Sequence, residues 1–220
     1  MKTEIRYKPA FATIFVTLGP GEKITAEASA MVSMSTGIEM TTQFSGGVLS
    51  ALLRRLLGGE SLFLNTFANL SSAPQQVVLT QSTPGDIMFI NLQGNQLCLQ
   101  PGAYIAHEPG VNLSIRWAGF ASWISGEGLF KQVVSGNGRV FFGSYGGLTE
   151  KTVVGEYVVD TNHLVAYEPQ LNLQVGLSSS LFGSFFSGEG LVNRIMGNGK
   201  IVLQSRSMDS LVKFLYPKVR

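Results

Sequence analysis

The sequence of 220 residues has little of the chemistry that catalytic and metal sites need, with one cysteine, two histidines and only 14% charged residues. Cys98 cannot form an internal disulfide, and its alternating apolar surroundings predict a small buried side chain. His107 and His163 show neither zinc-site spacing nor a catalytic triad, and an ordinary surface or turn role is expected for both. We therefore predict no catalytic residue, no metal, no cofactor and no enzymatic activity.

The sequence also lacks the long apolar runs that cross or enter membranes. No uncharged apolar stretch approaches the roughly 18 residues needed to span a bilayer. The N-terminal residues Met1–Arg6 run directly into strand-like sequence, without the pattern of an export signal. Together with the single thiol, these absences lead us to expect a cytoplasmic protein.

Internal repetition is the strongest positive signal. The segment Ser125–Phe130 (SGEGLF) recurs as Ser187–Val192 (SGEGLV), and Gly59–Phe63 (GESLF) is a third, weaker copy. A second shared feature lies upstream of each copy, at three places: Ala26–Ala28, His107–Pro109 and Tyr167–Pro169. This interpretation makes Glu27 the counterpart of Glu108 and Glu168.

The repeats predict an all-β fold. Short runs in which apolar and polar residues alternate are separated by glycine-containing turns, which indicates antiparallel strands. Gly-Asn-Gly at 136–138 and 197–199 predicts two hairpin turns. We expect one compact domain, 1–220, made of three pseudo-symmetric antiparallel repeats at 10–82, 87–146 and 147–206, with a tail at 207–220. The subunit is expected to form a barrel, a sandwich or a double-stranded β-helix-like structure.

Two short helices are predicted. The leucine-rich insertion 46–59 is bracketed by glycine pairs and carries apolar residues at helical spacing. The segment Met208–Tyr216 precedes Pro217 and predicts a short C-terminal helix.

The order of these motifs resembles a known family. Gly59–Asn65, Ser125–Phe130 and Gly188–Leu191, together with Gly19–Glu22 and Pro84–Ile87, are similar to elements of the altered-inheritance-of-mitochondria 24 family, a bacterial domain of unknown function. The resemblance implies a fold related to that of the tryptophan RNA-binding attenuation protein and a TRAP-like subunit that forms homo-oligomers. It also implies that the bacterial, cytoplasmic members are the closer model for this chain.

Two sets of residues are candidates for interaction. The glutamates Glu60, Glu127 and Glu189 occupy equivalent turns; the favoured role is structural, accepting backbone N–H bonds, and the alternative is a shared cation site. Apolar segments preceding these turns carry a second set: Leu52, Leu53, Leu56, Trp117, Phe120, Trp123, Phe182, Phe185 and Phe186. Such side chains pack within or between subunits, dock a protein or membrane surface, or line a small-ligand pocket.

The sequence as a whole predicts a non-enzymatic, homo-oligomeric scaffold whose first partner is itself, as a trimer or a multiple of three. A further protein or a membrane surface is a second expected partner. The alternative is an RNA- or small-ligand-binding module, with Arg194, Lys200 and Arg206 as phosphate contacts. Nucleic acid is the less expected partner, because the net charge is only +2.

Overall fold

The chain is a β protein with a short helix near its C-terminus. The computed structural model describes residues 1–44, 63–117, 130–177 and 191–218. The strands in these residues are β1 Lys2–Arg6, β2 Thr13–Leu18, β3 Lys23–Glu27, β4 Met31–Met34, β5 Ile38–Phe44, β6 Phe63–Asn69, β7 Gln75–Leu79, β8 Ile87–Leu99, β9 Tyr104–His107, β10 Val111–Trp117, β11 Phe130–Gly143, β12 Leu148–Asp160, β13 Leu164–Tyr167, β14 Asn172–Leu177 and β15 Leu191–Gln204.

Helix α1 spans Met208–Leu215, and short 3-10 turns lie at Thr161–His163 and Tyr216–Lys218. Ser207 caps α1, because its hydroxyl accepts the Ser210 N–H. The predicted all-β class and short C-terminal helix are confirmed. The predicted helix in 46–59 lies outside the described residues.

The strands form because apolar residues alternate with polar ones. In β2, Ile14, Val16 and Leu18 are fully buried, whereas the residues between them are partly exposed. Successive side chains of a strand point to opposite faces, so this alternation places one face in the core. Burial of each such side chain contributes about 1.5–3 kcal/mol.

Hydrogen bonds join the described strands into two sheets. The smaller sheet has the order β1-β2-β7-β4; the larger runs β12-β15-β13-β8-β11-β9-β3-β6-β5, with β10 beside β11 and β14 beside β15. Neither order returns to its first strand, so no closed barrel is found among the described residues. The barrel or sandwich arrangement stays a prediction.

We call residues 10–82, 87–146 and 147–206 units 1, 2 and 3. In unit 2, the long β11 lies between β8 on one side and β10 and β9 on the other. In unit 3, β15 lies in the same way between β12 and the strands β14 and β13. In unit 1 two shorter strands take the place of the long one: β6 lies between β3 and β5, and β7 lies between β2 and β4.

A hydrogen-bonded corner occurs in each unit and identifies corresponding residues. In unit 2 the Glu108 N–H donates to the Arg139 carbonyl oxygen, and the Arg139 N–H donates back to the Glu108 carboxylate at 3.0 Å. Two further pairs make the same two bonds: Ser35 with Gln76, and Glu168 with Lys200. Ser35, Glu108 and Glu168 are therefore counterparts.

The predicted equivalence of Glu27 with Glu108 is wrong. Glu27 ends β3, opposite Leu64, and does not form the corner. A turn at 19–22 divides the first strand of unit 1 into β2 and β3, so Glu27 belongs to the continuation of that strand. Ser35 escaped detection because a hydroxyl replaces the carboxylate as the acceptor of the backbone N–H.

The predicted Gly-Asn-Gly hairpins are also wrong. Residues 136–138 lie inside β11 and residues 197–199 lie inside β15. The register of β11 against β8 shifts between Ser135 and Asn137, which is a bulge. A Cβ at Gly136 would come within 2.2 Å of the Gly110 carbonyl oxygen, so glycine is required there by a close approach of two strands.

The units meet through strand pairing at two joints, which we call joint 1/2 and joint 2/3. At joint 1/2, β3 pairs with β9 so that Ala26 lies opposite Ala106. At joint 2/3, β8 pairs with β13 so that Leu99 lies opposite Ala166. Each joint therefore joins the first strand of one unit to the corner strand of the next.

The linkers between units also pack together. The Ala12 N–H donates to the Gly85 carbonyl oxygen, and the Asp86 N–H donates to the Gly146 carbonyl oxygen. A Cβ at Gly85 would lie 1.9 Å from the Ser144 carbonyl oxygen, so only glycine permits this approach. The segments that lead into successive units are thus in direct contact.

The cores cross the joints. One apolar cluster combines most buried side chains of unit 1 with four residues of unit 2: Ile87, Ile105, Ala106 and Phe141. A second cluster combines buried side chains of unit 2 with Leu64 of unit 1 and with three residues of unit 3: Val165, Ala166 and Val202. A third combines buried side chains of unit 3 with Cys98 and Val133 of unit 2. The following unit thus completes the core of the unit before it.

Candidate interaction surface

The side chain that closes each core stands three residues before the corner. At joint 1/2 it is Ile105, which is 1% exposed, and at joint 2/3 it is Val165, which is 2% exposed. The corner residue Ser35 makes Val32 their counterpart in unit 1. Val32 is 56% exposed, because unit 1 has no preceding unit in the described chain whose core it could close.

All four residues of β4, the strand that carries Val32, are exposed. In the described residues β4 pairs with β7 alone, so its other edge is open. Exposed sheet edges present unpaired N–H and C=O groups and readily accept another strand. An apolar strand with an open edge is therefore the first half of a candidate interaction surface.

The second half lies at the other end, on β12. Within the described residues β12 pairs with β15 alone. Ser114 and Gln174 each lie six residues after the corner, and they pair with Val133 and Arg194, which are therefore counterparts. Val158 of β12 lies opposite Arg194 and Cys98 of β8 lies opposite Val133, so Val158 corresponds to Cys98. Cys98 is 1% exposed at joint 2/3, whereas Val158 is 49% exposed. The edge that joins units 2 and 3 thus has an uncovered counterpart in unit 3.

A buried polar pair lies at joint 1/2. The Tyr104 hydroxyl is 2.6 Å from His107 Nδ1 and 3.3 Å from the Thr25 carbonyl oxygen across the joint. Burial lowers the pKa of His107 to about 4 and raises the pKa of Tyr104 well above its ordinary value. The imidazole is therefore neutral at pH 7 and forms a hydrogen bond with the tyrosine hydroxyl. The predicted surface or turn role of His107 is wrong.

An ion pair strengthens the same joint. Arg139 Nε donates to Glu108 Oε1 at 2.6 Å, and Arg139 also donates to the Thr3 hydroxyl of β1, which belongs to the unit 1 sheet. Both charged side chains are largely buried. The guanidinium lies 5.8 Å from the centre of the Phe89 ring. Arg139 therefore links the first strand of the chain to unit 2.

Replacing Arg139 with methionine is expected to lower the free energy of unfolding by about 2 kcal/mol, because hydrogen bonds to a largely buried carboxylate are lost. Chemical denaturation monitored by circular dichroism measures the change. The matched control is Lys200→Met at the corresponding position of unit 3, where the ion pair with Glu150 is exposed and is expected to contribute little. Equal losses in both variants would contradict the role assigned to burial.

Most of the sequence-predicted site residues lie outside the described part of the chain. The described residues end or begin near them, at three strand pairs: Phe44–Phe63, Trp117–Phe130 and Leu177–Leu191. Trp117 is thus placed as the last residue of β10. The remaining predicted contacts and turn glutamates stay predictions: Leu52, Leu53, Leu56, Phe120, Trp123, Phe182, Phe185, Phe186, Glu60, Glu127 and Glu189.

Two of the three basic side chains considered for RNA are ion-paired. Arg194 contacts Glu156 at 2.8 Å, and Lys200 contacts Glu150 at 2.8 Å. These carboxylates offset the positive charge that phosphate binding requires. Within the described residues, Arg194 and Lys200 therefore do not form an unopposed basic patch.

The described residues hold no group of three or more His, Cys, Asp or Glu side chains suited to a metal ion. No helix among them is both long and apolar enough to traverse a lipid bilayer. Cys98 is buried at joint 2/3, and desolvation raises the pKa of its thiol. The free edges of β4 and β12 therefore remain the candidate surface.

Sequence reasoning missed Val32, Met34 and Val158. Their apolar side chains alternate like those of any buried strand, and nothing local indicates that they are exposed. Alignment on the corner hydrogen bonds would have identified them, but Ser35 does not share the Glu-Pro sequence of Glu108 and Glu168.

Comparisons with family models, with known sequences and with solved structures each found similar proteins. A family model described as mitochondrial biogenesis AIM24 matches residues 3–206. The uncharacterized protein M6_Spy0233 of Streptococcus pyogenes is 24% identical over 218 residues, which cover 95% of this chain and 87% of that protein. The crystal structure of protein SPYM3_0169 from Streptococcus pyogenes is similar with a TM-score of 0.78 and 25% identity, covering 99% of both chains.

Proposed function

The chain belongs to the mitochondrial biogenesis AIM24 family, and we propose that it is a non-enzymatic, homo-oligomeric scaffold whose subunits join head to tail. In this proposal the three units are pseudo-symmetric copies, and each is a small sandwich completed by the next unit. The open end of unit 3 in one subunit receives unit 1 of another. We propose that the closed oligomer contains three subunits or a multiple of three.

The exposure of Val32 carries the proposal. Its counterparts Ile105 and Val165 are 1% and 2% exposed because each closes the core of the preceding unit, whereas Val32 is 56% exposed. Unit 3 has the complementary open edge, on β12, where Val158 is exposed. A second copy of the chain would cover both ends with a contact that the subunit already makes twice internally.

The internal joints predict the register of the new contact. Ala26 pairs with Ala106 at joint 1/2, and Leu99 pairs with Ala166 at joint 2/3. By correspondence, Val159 of one subunit lies opposite Ser33 of the next. The neighbouring pair is then Val158 with Met34, and both of these apolar side chains become buried.

Replacing Val32 with aspartate is expected to abolish assembly and leave the subunit folded. The side chain is exposed in the single subunit, so the charge costs little there, but in the assembly it would be buried without a partner. Sedimentation velocity is expected to give an oligomer for the unchanged protein and a species of 23.7 kDa for the variant.

The matched control is Leu70→Asp, because Leu70 is 68% exposed and lies in the turn after β6, outside the predicted pairing of β4 with β12. This variant is expected to assemble like the unchanged chain, and circular dichroism checks that both variants fold. An unchanged chain that stays monomeric at high concentration, or a Val32→Asp variant of undiminished mass, would contradict the proposal.

A second part of the proposal concerns the partner of the assembled scaffold. The apolar segments near 46–59, 118–124 and 181–186 are candidates to dock another protein or a membrane surface. The flanking strands support this part, since β5, β10 and β14 end at corresponding strand pairs: Phe44 with Phe63, Trp117 with Phe130 and Leu177 with Leu191.

A further inference from the structure

Helix α1 has an apolar face that lacks a cover in the described part of the chain. Met208, Leu211, Val212 and Leu215 recur at helical spacing and share this face. No residue of the helix is buried, and Val212 is 53% exposed. An isolated helix of eight residues is marginal in water, so an apolar face on such a short helix indicates a packing partner.

The helix lies beside the open end of unit 3. The Ser205 N–H donates to the Gly147 carbonyl oxygen, which places the start of the tail against the linker leading into unit 3. Lys213 lies four residues from Asp209 and bonds it at 2.6 Å. Gln204 Nε2 donates to the Asn162 carbonyl oxygen at 2.7 Å, two residues beyond Asp160, which ends β12. The segment that leads into α1 therefore lies beside that end of β12.

Unit 1 presents an apolar turn at the opposite end of the chain. The Phe11 N–H donates to the Tyr7 carbonyl oxygen, which closes the turn. The Tyr7 ring contacts Phe15 edge to face at 6.1 Å between centroids, which fixes its direction. Tyr7 and Phe11 are nevertheless strongly exposed, Phe11 by 70%.

The internal joints show where this turn would lie in a neighbouring subunit. Ala12 N–H bonds the Gly85 carbonyl oxygen at joint 1/2, and Asp86 N–H bonds the Gly146 carbonyl oxygen at joint 2/3. By correspondence, the Gly147 N–H, which donates to the Ser205 hydroxyl at 2.9 Å in the single subunit, would face the Phe11 carbonyl oxygen of the next subunit. Phe11 of the next subunit would then lie beside Ser205, three residues before the start of α1.

We propose that the apolar face of α1 packs on the Tyr7–Phe11 turn of the next subunit and acts as a clasp between subunits. The inference rests on the proposed head-to-tail assembly. The internal joints have a covalent linker, 80–86 or 143–147, which keeps the two units at high effective concentration. The joint between subunits has no such linker, and α1 supplies additional buried area only there.

A double-mutant cycle tests the clasp. The variants Phe11→Ser, Val212→Ser and the double variant are compared with the unchanged full-length chain by sedimentation equilibrium, which measures the dissociation constant. Each single change is expected to weaken assembly about 10- to 100-fold. The double variant is expected to assemble about as weakly as the weaker single variant, because the two changes remove one shared contact.

Leu70→Ser is the matched control, since it also removes an exposed apolar side chain, and it is expected to leave the dissociation constant unchanged. The outcomes separate the two proposals. A monomeric unchanged chain would overturn the scaffold itself. Normal assembly of Phe11→Ser and Val212→Ser, or losses in the two variants that multiply fully in the double variant, would overturn the clasp and leave head-to-tail assembly standing.

Discussion

Phe141→Ala is expected to lower the free energy of unfolding by about 3–5 kcal/mol, the usual cost of deleting a fully buried phenylalanine ring. The ring is completely buried and belongs to the core cluster of unit 1, although Phe141 itself lies in unit 2. The change therefore leaves a cavity across joint 1/2. Urea denaturation followed by circular dichroism measures the loss.

The neighbouring ring of Phe89 provides the control. It lies opposite Phe141 on β8, at 5.8 Å between centroids, and is 44% exposed. Phe89→Ala removes the same atoms from a partly solvated site, so we expect a loss of only about 1 kcal/mol. Similar losses for the two variants would mean that unit 1 does not depend on a ring supplied by unit 2.

The stability of the protein is expected to fall by about 3 kcal/mol through His107 as the pH is lowered from 7 to 4. The pKa of His107 is about 4 in the folded chain and 6.5 as the ordinary value. The unfolded chain therefore binds a proton in this range that the folded chain excludes. The contribution is fully present above pH 6.5 and is lost as the pH falls toward 4.

His107→Met isolates this contribution, because methionine already occupies the corresponding position 34 in unit 1 and does not titrate. The Tyr104 hydroxyl keeps the Thr25 carbonyl oxygen as an acceptor in the variant. The free energy of unfolding is measured at pH 7 and at pH 4 for both proteins. Its decrease between these two pH values is expected to be about 3 kcal/mol smaller in the variant than in the unchanged chain. An equal decrease in both proteins would show that folding does not lower the pKa of His107.

The fold class was predictable because it depends on local alternation. The pattern in β2, with Ile14, Val16 and Leu18 on one face, is enough to indicate a half-buried strand. The C-terminal helix was predictable for the same reason, from apolar spacing before Pro217. These features require no knowledge of which strands meet.

Correspondence between units was harder to predict, because it depends on hydrogen bonds to the backbone. Ser35 and Glu108 make the same two bonds with different side chains, and only the oxygen acceptor is shared. The Gly-Asn-Gly sequence at 136–138 illustrates a related problem: it is typical of a hairpin, but at Gly136 the close approach of the Gly110 carbonyl oxygen explains the residue.

The candidate surface could not be predicted from the sequence at all. Val32 and Val165 are the same residue type in corresponding strands, and their exposure differs because, within the described residues, a unit precedes unit 3 and none precedes unit 1. That difference is a property of position along the chain, which side-chain chemistry does not record. The same holds for Val158 and its buried counterpart Cys98.

Because the cores are shared across the joints, one unit of the sequence does not contain all the side chains of its own core. Unit 1 draws Phe141 and Ile105 from unit 2, and unit 2 draws Val165 from unit 3. A single unit expressed alone would lack these side chains, so its apolar face is expected to be incompletely covered. The smallest segment expected to fold on its own is therefore longer than one unit.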